Sequence, residues 1–202
     1  MMNYIVFDLE MNNKWGTRIH EIIEIGAVKI NSDMEVVNSF QAFIKPKLYP
    51  TISKLIKKKT RIKQEWIDNA KDLPYVVEDF RKWIGEEDFV LCGWGIDDLI
   101  TFERNFKINS MDDAECDLLK NYNDIQKQFI KIYNLPNQIS LKNALEMLNA
   151  KPEYDIWHRA IFDAINTSQV FIKIFDRMKN KPGLSQNLVV STENVNNVIH
   201  AQ

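Results

Sequence analysis

The sequence predicts an α/β or α+β fold in which a mixed sheet opens as an antiparallel meander and is covered by helices. Three observations predict it. Apolar runs rich in β-branched residues follow one another near the start, two of them separated by the turn cluster Asn31-Ser32-Asp33. Past residue 70, helical periodicity alternates with short buried-strand patterns. Hydrophobic residues make up 45% of the 202 residues and charged residues 27%, proportions that exclude wholesale disorder and suit one domain.

The elements follow in order. Residues 4–9 (YIVFDL) read as a buried strand, 21–30 (EIIEIGAVKI) as a second and 36–44 as a third, the last two joined as a hairpin. Pro46 and Pro50 end the third strand and lead into a basic patch over 54–63. Residues 73–85 carry Val76, Val77, Phe80, Trp83 and Ile84 at helical spacing. A strand is expected over 88–92, a helix over 97–106, a short strand around 116–119 and a helix over 123–133. Ser140 is the expected N-cap of a helix over 141–148, and the last strong helix covers 160–178. The domain is expected to span 1–179. Residues 180–202, rich in Asn and Ser around Pro182-Gly183, read as a flexible C-terminal tail, in which 188–190 is the one segment apolar enough to dock as a strand.

Composition excludes several function classes. The formal net charge of −2 excludes a generally basic nucleic-acid coat but leaves room for a local patch. No apolar run approaches the ~18 residues of a membrane span, and the opening MMNYIVFDLEMN lacks a basic leader. Cys92 and Cys116 belong to no CxxC pair, so neither a disulfide scaffold nor a structural zinc site is expected. A soluble cytoplasmic protein is the default expectation.

The informative residues are carboxylates. Asp8 and Glu10 are two apart near the end of the first strand, so they project from one face while Phe7 and Leu9 project from the other. Two adjacent carboxylates leaving water repel each other, and a divalent cation is the usual compensation. Alone, a DxE can also lie solvated beyond a strand end. Asp97 and Asp98 follow Trp94-Gly95 at a helix start, where acidic residues also suit the helix dipole. In WHRAIFDAINT, His158 and Asp163 are five apart, roughly 140° on an ideal helix, so they converge only if His158 lies in the loop or first turn and Asp163 one turn inside. A lone His near a helix start is usually structural.

The ordered set is more specific than its parts. FDLE with EIIEIGAV, then CGWGIDDLITFERN, then HRAIFDAINT resembles the three motifs of the DEDDh, or DnaQ-like, family of 3′-to-5′ exonucleases. The resemblance runs from Tyr4 to about Phe175. The Trp-Gly form of the second motif and the size are similar to the Eri-type exoribonuclease and KapD-type branch, as is TRIKQEWIDNA, where Arg61 stands in place of the usual Gly. Two further departures are Asp155 in place of a Gly and Phe162 before the last Asp.

The resemblance implies a ribonuclease H-like fold and hydrolysis with two Mg²⁺ ions, Mn²⁺ being a plausible substitute. It implies Asp8, Glu10, Asp98 and Asp163 as metal ligands, with Asp97 the alternative in the second motif, and His158 as general base. On the substrate side it implies Leu9 and Met11 at the terminal sugar and base, with Thr60 and Phe102. Trp15 and His20, in the loop after the first strand, are weaker candidates for an aromatic platform that would suit single strands. The expected partner is the 3′ end of single-stranded RNA or DNA, RNA being favoured by the branch, and no membrane. Lys57, Lys58 and Lys59 in the basic patch are candidates for following phosphates. Trp66, Tyr75 and Trp83 are expected in the core or an interface, and Cys92 as a small buried hydrophobe. Two competing functions are weaker. An aspartyl phosphatase normally presents DxD and leaves HxxxxD unexplained, whereas a non-catalytic interaction module has no need of all five polar residues.

Overall fold

A computed structural model describes residues 2–13, 16–111 and 117–179. The first three strands are β1 (Asn3–Asn13), β2 (His20–Ile30) and β3 (Val36–Lys45), paired antiparallel in sequence order. The β2–β3 turn is fixed by Asn31, whose Oδ1 accepts from the Asp33 and Glu35 N–H groups at 3.0 and 2.9 Å. Two parallel strands, β5 (Phe89–Gly93) and β6 (Tyr122–Asp124), add on the far side of β1. The two-residue β4 (Lys71–Asp72) pairs with β3, giving the order β4-β3-β2-β1-β5-β6.

Alternation along β1 separates two cores. Ile5, Phe7 and Leu9 face α3 (Leu73–Ile84) and α4 (Asp97–Ile108), burying Phe80, Phe102 and Phe106. Tyr4 and Val6 face the opposite layer, made by α5 (Ile125–Tyr133), α6 (Leu141–Met147) and the long α7 (Ala160–Lys179). The same period of two puts Asp8 and Glu10 on the α7 side. β1 is longer than the expected 4–9, so both carboxylates lie within the strand and beyond the end of its pairing with β5, which stops at Val6.

Ser140 caps α6, its Oγ accepting from the Asn143 N–H at 3.2 Å. The expected strand around 116–119 is not there. Residues Asp117–Leu119 form a 3₁₀ turn that buries Leu118 and Leu119, and Cys116 lies outside the described residues. The strand is β6 instead. It takes the first two residues of the expected 123–133 helix, because the Asp124 side chain accepts from the Lys127 N–H at 2.8 Å and caps the helix there. The basic patch is built of two short helices, α1 (Lys54–Thr60), capped by Ser53, and α2 (Gln64–Asp68). Arg61, left-handed at φ 59°, ends α1 with its N–H on Lys57 O. Ile52, Ile62 and Ile67 anchor this segment on Ile23 of β2. The expected tail, 180–202, lies outside the described residues.

Candidate metal-binding active site

The four carboxylates reach the site from three elements. Asp8 and Glu10 come from β1, opposite Gly26 and Glu24 of β2. Just past Glu10 the β1–β2 register shifts, Met11 pairing with Ile22, so β2 bulges at the site. Asp98 stands in the first turn of α4, immediately after β5 turns out of the sheet through Gly93, Trp94 and Gly95. That turn is braced from below: the Tyr122 hydroxyl donates to Gly95 O, and a side chain at Gly93 would collide with the same hydroxyl at 2.5 Å. Trp94 Nε1 donates to Ile139 O at 3.2 Å. Of the two aspartates at this helix start, Asp97 is exposed and Asp98 is half-buried, facing Asp8 and Asp163.

Asp163 enters from α7, and a glycine lets it in. A Cβ at Gly26 would stand 2.1 Å from the Ile161 backbone nitrogen, so only a residue without one allows the first turn of α7 to lie against β2 opposite Asp8. His158 lies before the helix, in the left-handed region at φ 66°. From there its N–H donates to Asp163 Oδ2 at 2.8 Å, and the pair converges despite its five-residue spacing. One ligand atom from each of Glu10, His158 and Asp163 lies within 4.8 Å of the other two.

The electrostatics are those of crowded acids. Burial, then the charges of Asp98, Asp163, Glu10 and Glu24, push the Asp8 carboxyl well above its ordinary value. Burial raises Glu10 to about 8, Asp98 to about 7 and Asp163 to about 6. Asp97 and Asp163 add to the rise at Asp98, whereas the Lys59 ammonium opposes the rise at Glu10 and Asp163. Asp163 Oδ1 is buried with no hydrogen-bond partner among the described residues. An orphan oxygen among repelling carboxylates suits hard divalent cations, which take oxygen ligands and remove the repulsion.

Residues 5–171 match the family described as Exonuclease, of the RNase T type. The chain belongs to this exonuclease family. The family is that of exonucleases, which hydrolyse phosphodiester bonds from a strand end, and the motifs of this chain carry the DEDDh pattern. Curated relatives include the PolC-type DNA polymerase III of Staphylococcus haemolyticus, 27% identical over 178 residues, and that of Staphylococcus aureus, 26% identical over 186. The alignments cover 87% and 91% of this chain but only 12% of each polymerase. Among solved structures, the nuclease domain of 3'hExo, a DEDDh family member bound to rAMP, superposes with a TM-score of 0.79 at 21% identity, covering 87% of this chain and 92% of that one. Exonuclease X in complex with 5′-overhanging duplex DNA gives 0.60 at 18% identity, covering 90% and 95%. These likenesses establish the ribonuclease H-like fold.

Some residues of this exonuclease matter for reasons that sequence reasoning missed. Glu24, fully buried beneath the cluster, is gripped by Arg159 through Nε at 3.0 Å and Nη2 at 3.0 Å, and also accepts from the Ala160 N–H at 3.2 Å. Gln41 Nε2 donates to it at 2.6 Å. Arg159 also lies over the rings of Phe43, Trp66 and Phe162. This pair fixes the residue next to His158. Asn166 holds the other side of that loop, accepting from the Glu153 N–H at 3.1 Å and donating to Tyr154 O at 3.0 Å. Asp155, where the family has Gly, accepts from Trp157 Nε1 at 2.9 Å, so the departure is absorbed within the loop. Both residues stand inside EIIEIGAV and HRAIFDAINT, but nothing in those segments taken singly pairs them.

The expected substrate-side residues fall apart. Leu9 is 3% exposed in the core, which leaves only its backbone for a ligand, whereas Met11, the residue after Glu10, is half-exposed. Thr60 is buried, its hydroxyl donating to Ile56 O at 2.9 Å and accepting from the Ile62 N–H at 3.1 Å. Phe102 is buried against Phe7 and Phe106, so both residues shape the site from behind rather than touch a ligand. Trp15 lies outside the described residues. Lys59 is exposed and its charge is felt at Glu10, His158 and Asp163. Trp66 stacks on Phe43 and Trp83 on Phe80, whereas Tyr75 is 61% exposed and so lies outside the core. Cys92 is buried with its thiol pushed up, as a small hydrophobe would be. No helix among the described residues is long and apolar enough to cross a membrane.

Proposed function

We propose that this exonuclease removes nucleoside monophosphates from the 3′ end of single-stranded nucleic acid, RNA before DNA, in a metal-dependent hydrolysis. The observation that carries the proposal is the meeting of Glu10, His158 and Asp163 within 4.8 Å, beside Asp8 and Asp98. Asp8, Glu10, Asp98 and Asp163 would hold a pair of divalent cations, Mg²⁺ with Mn²⁺ as a substitute, which when bound supply an acidified water and neutralise charge on the leaving oxygen.

The remaining steps belong to the chain. His158 takes the proton of the attacking water as the water oxygen bonds to phosphorus and the phosphorus–O3′ bond breaks, releasing a 5′-monophosphate. Burial, and secondarily Lys59, hold the His158 pKa below its ordinary 6.5, so the ring is neutral and able to accept a proton at pH 7. The His158 backbone N–H, donating to Asp163 Oδ2, fixes the main chain that carries the ring, and the Glu24–Arg159 pair holds the adjoining residue. The exposed Lys59 offers a cation to the phosphate.

RNA is placed first because the branch resemblance favours it and the 3'hExo nuclease domain is bound to rAMP; the curated relatives are DNA polymerases, so matched DNA is the second arm. The test is 5′-labelled RNA and DNA of one sequence incubated with Mg²⁺, Mn²⁺ or chelator, for wild type and Asp8→Ala. A ladder shortening from the 3′ end, abolished by chelator and by the substitution, supports the proposal. Strand binding without shortening would replace it with an interaction module.

A further inference from the structure

We infer that a cleft along α4 carries the strand upstream of its 3′-terminal nucleotide, with phosphates on Arg104, Lys107 and Lys47 and a base on Tyr75. This rests on the exonuclease reading of the carboxylate site. The path begins there: Asp98 opens α4, and Thr101 follows one turn later. Thr101, His20, Arg104 and Lys107 line a cavity of about 250 Å³. His20 starts β2 opposite Asn13, three residues beyond Glu10, or about 10 Å along the strand. The two sides of this cavity are held together by Asn105, whose Oδ1 accepts from the Ile22 N–H at 3.1 Å and whose Nδ2 donates to His20 O at 2.9 Å.

A second, larger cavity of about 690 Å³ continues past the end of α4. Ile108 lines the first cavity and Asn109 the second, and Lys47 Nζ, at the second, donates to Ile108 O at 3.1 Å. Lys45 and Tyr75 line it as well. From Asp98 to Asn109 the helix runs about 17 Å, the length of a few nucleotides of an extended single strand. The charges suit that occupant. Arg104 and Lys107 are exposed, and the carboxylates beside the path include the exposed Asp97 at its start, Asp72 and the half-buried Glu103. Tyr75, 61% exposed at the start of α3, presents a stacking face that the core does not use.

The experiment is fluorescence anisotropy of a 5′-labelled decanucleotide in chelator, where nothing is cleaved, across a salt series. Two phosphate contacts account for about 1.4 of the slope of log affinity on log salt for a single strand. Arg104→Gln with Lys107→Gln is therefore expected to flatten the slope by about 1.4 and to weaken binding about 25-fold at 0.1 M salt. Lys142→Gln with Lys151→Gln removes equal charge from another exposed surface and is expected to leave the slope alone. Tyr75→Ala is expected to weaken the decamer about tenfold, the loss of one stacked base, and a dinucleotide not at all. An unchanged slope in the Arg104/Lys107 pair, or an equal change in the Lys142/Lys151 pair, overturns the track. Absence of a 3′ ladder from wild type overturns the exonuclease reading separately, since the anisotropy needs no turnover.

Discussion

Gly26→Ala isolates the contact that sets the site's geometry. The added methyl would stand 2.1 Å from the Ile161 nitrogen and 2.3 Å from the Ala160 carbonyl carbon, against about 3.4 Å for ordinary contact. Both neighbours are backbone, so no side-chain rotation relieves the clash, and the first turn of α7 must retreat by about 1.3 Å. The Ala160 N–H would then leave Glu24, now 3.2 Å away, and Asp163 would draw back from Glu10. Overpacking of this kind costs about 1–3 kcal/mol of stability. A 1 Å misplacement of catalytic groups costs about 100-fold in rate. The expected variant is folded, melts lower than wild type and has kcat down by about 100-fold, with KM changed much less. The assays are steady-state cleavage of a 5′-labelled oligonucleotide and thermal melting with and without Mg²⁺. A folded Gly26→Ala with wild-type kcat would refute the assignment of α7's position to this glycine.

Other perturbations have equally definite outcomes. Asp8→Ala is expected to abolish turnover, whereas His158→Ala loses about 10²–10⁴-fold in kcat yet still binds Mn²⁺ by calorimetry, as a base rather than a ligand would; loss of Mn²⁺ binding with the histidine would reassign it. Arg159→Ala removes the cationic partner of the buried Glu24 and leaves it only the Gln41 and Ala160 N–H bonds, and urea denaturation should show a loss of about 3–5 kcal/mol, less if Glu24→Gln is added. In chelator, the raised carboxyls of Glu10, Asp98 and Asp163 keep protons in the folded chain that the unfolded chain, with pKa values near 4, has released. The folded state therefore binds more protons between about pH 4 and 8, and stability falls as pH rises through that window, by at most about 1.4 kcal/mol per pH unit for each group. Mg²⁺ should flatten this dependence, and equal urea midpoints at pH 5 and pH 8 in chelator would contradict it.

The sequence was legible where a short-range rule governed. Period two along β1 put Asp8 and Glu10 on one face, and Ser140 announced α6, because both depend on neighbours a few residues away. It was misleading around residues 116–119, where Leu118 and Leu119 are apolar because a 3₁₀ turn buries them, while the true strand, Tyr122–Asp124, carries a buried asparagine and an N-cap aspartate. The end of α1 was hidden because Arg61 takes a left-handed conformation that glycine would have advertised. Least legible was the support of the site. Glu24 and Arg159 are 135 residues apart, and nothing in local spacing says that they form a bidentate pair. Gly26 reads as a weak spot in a strand until α7 is seen against it. Thr60 and Phe102 belong to segments close to the site, yet burial turns their side chains away from any ligand.

The most direct measurement is the anomalous difference density of Mn²⁺ in crystals of the wild-type chain. Peaks are expected between the carboxylates of Asp8, Glu10 and Asp163, with Asp98 close enough to act through water, and they should vanish in Asp8→Ala. Saturating Mn²⁺ that leaves these four carboxylates without density, or that binds only elsewhere, would contradict the account.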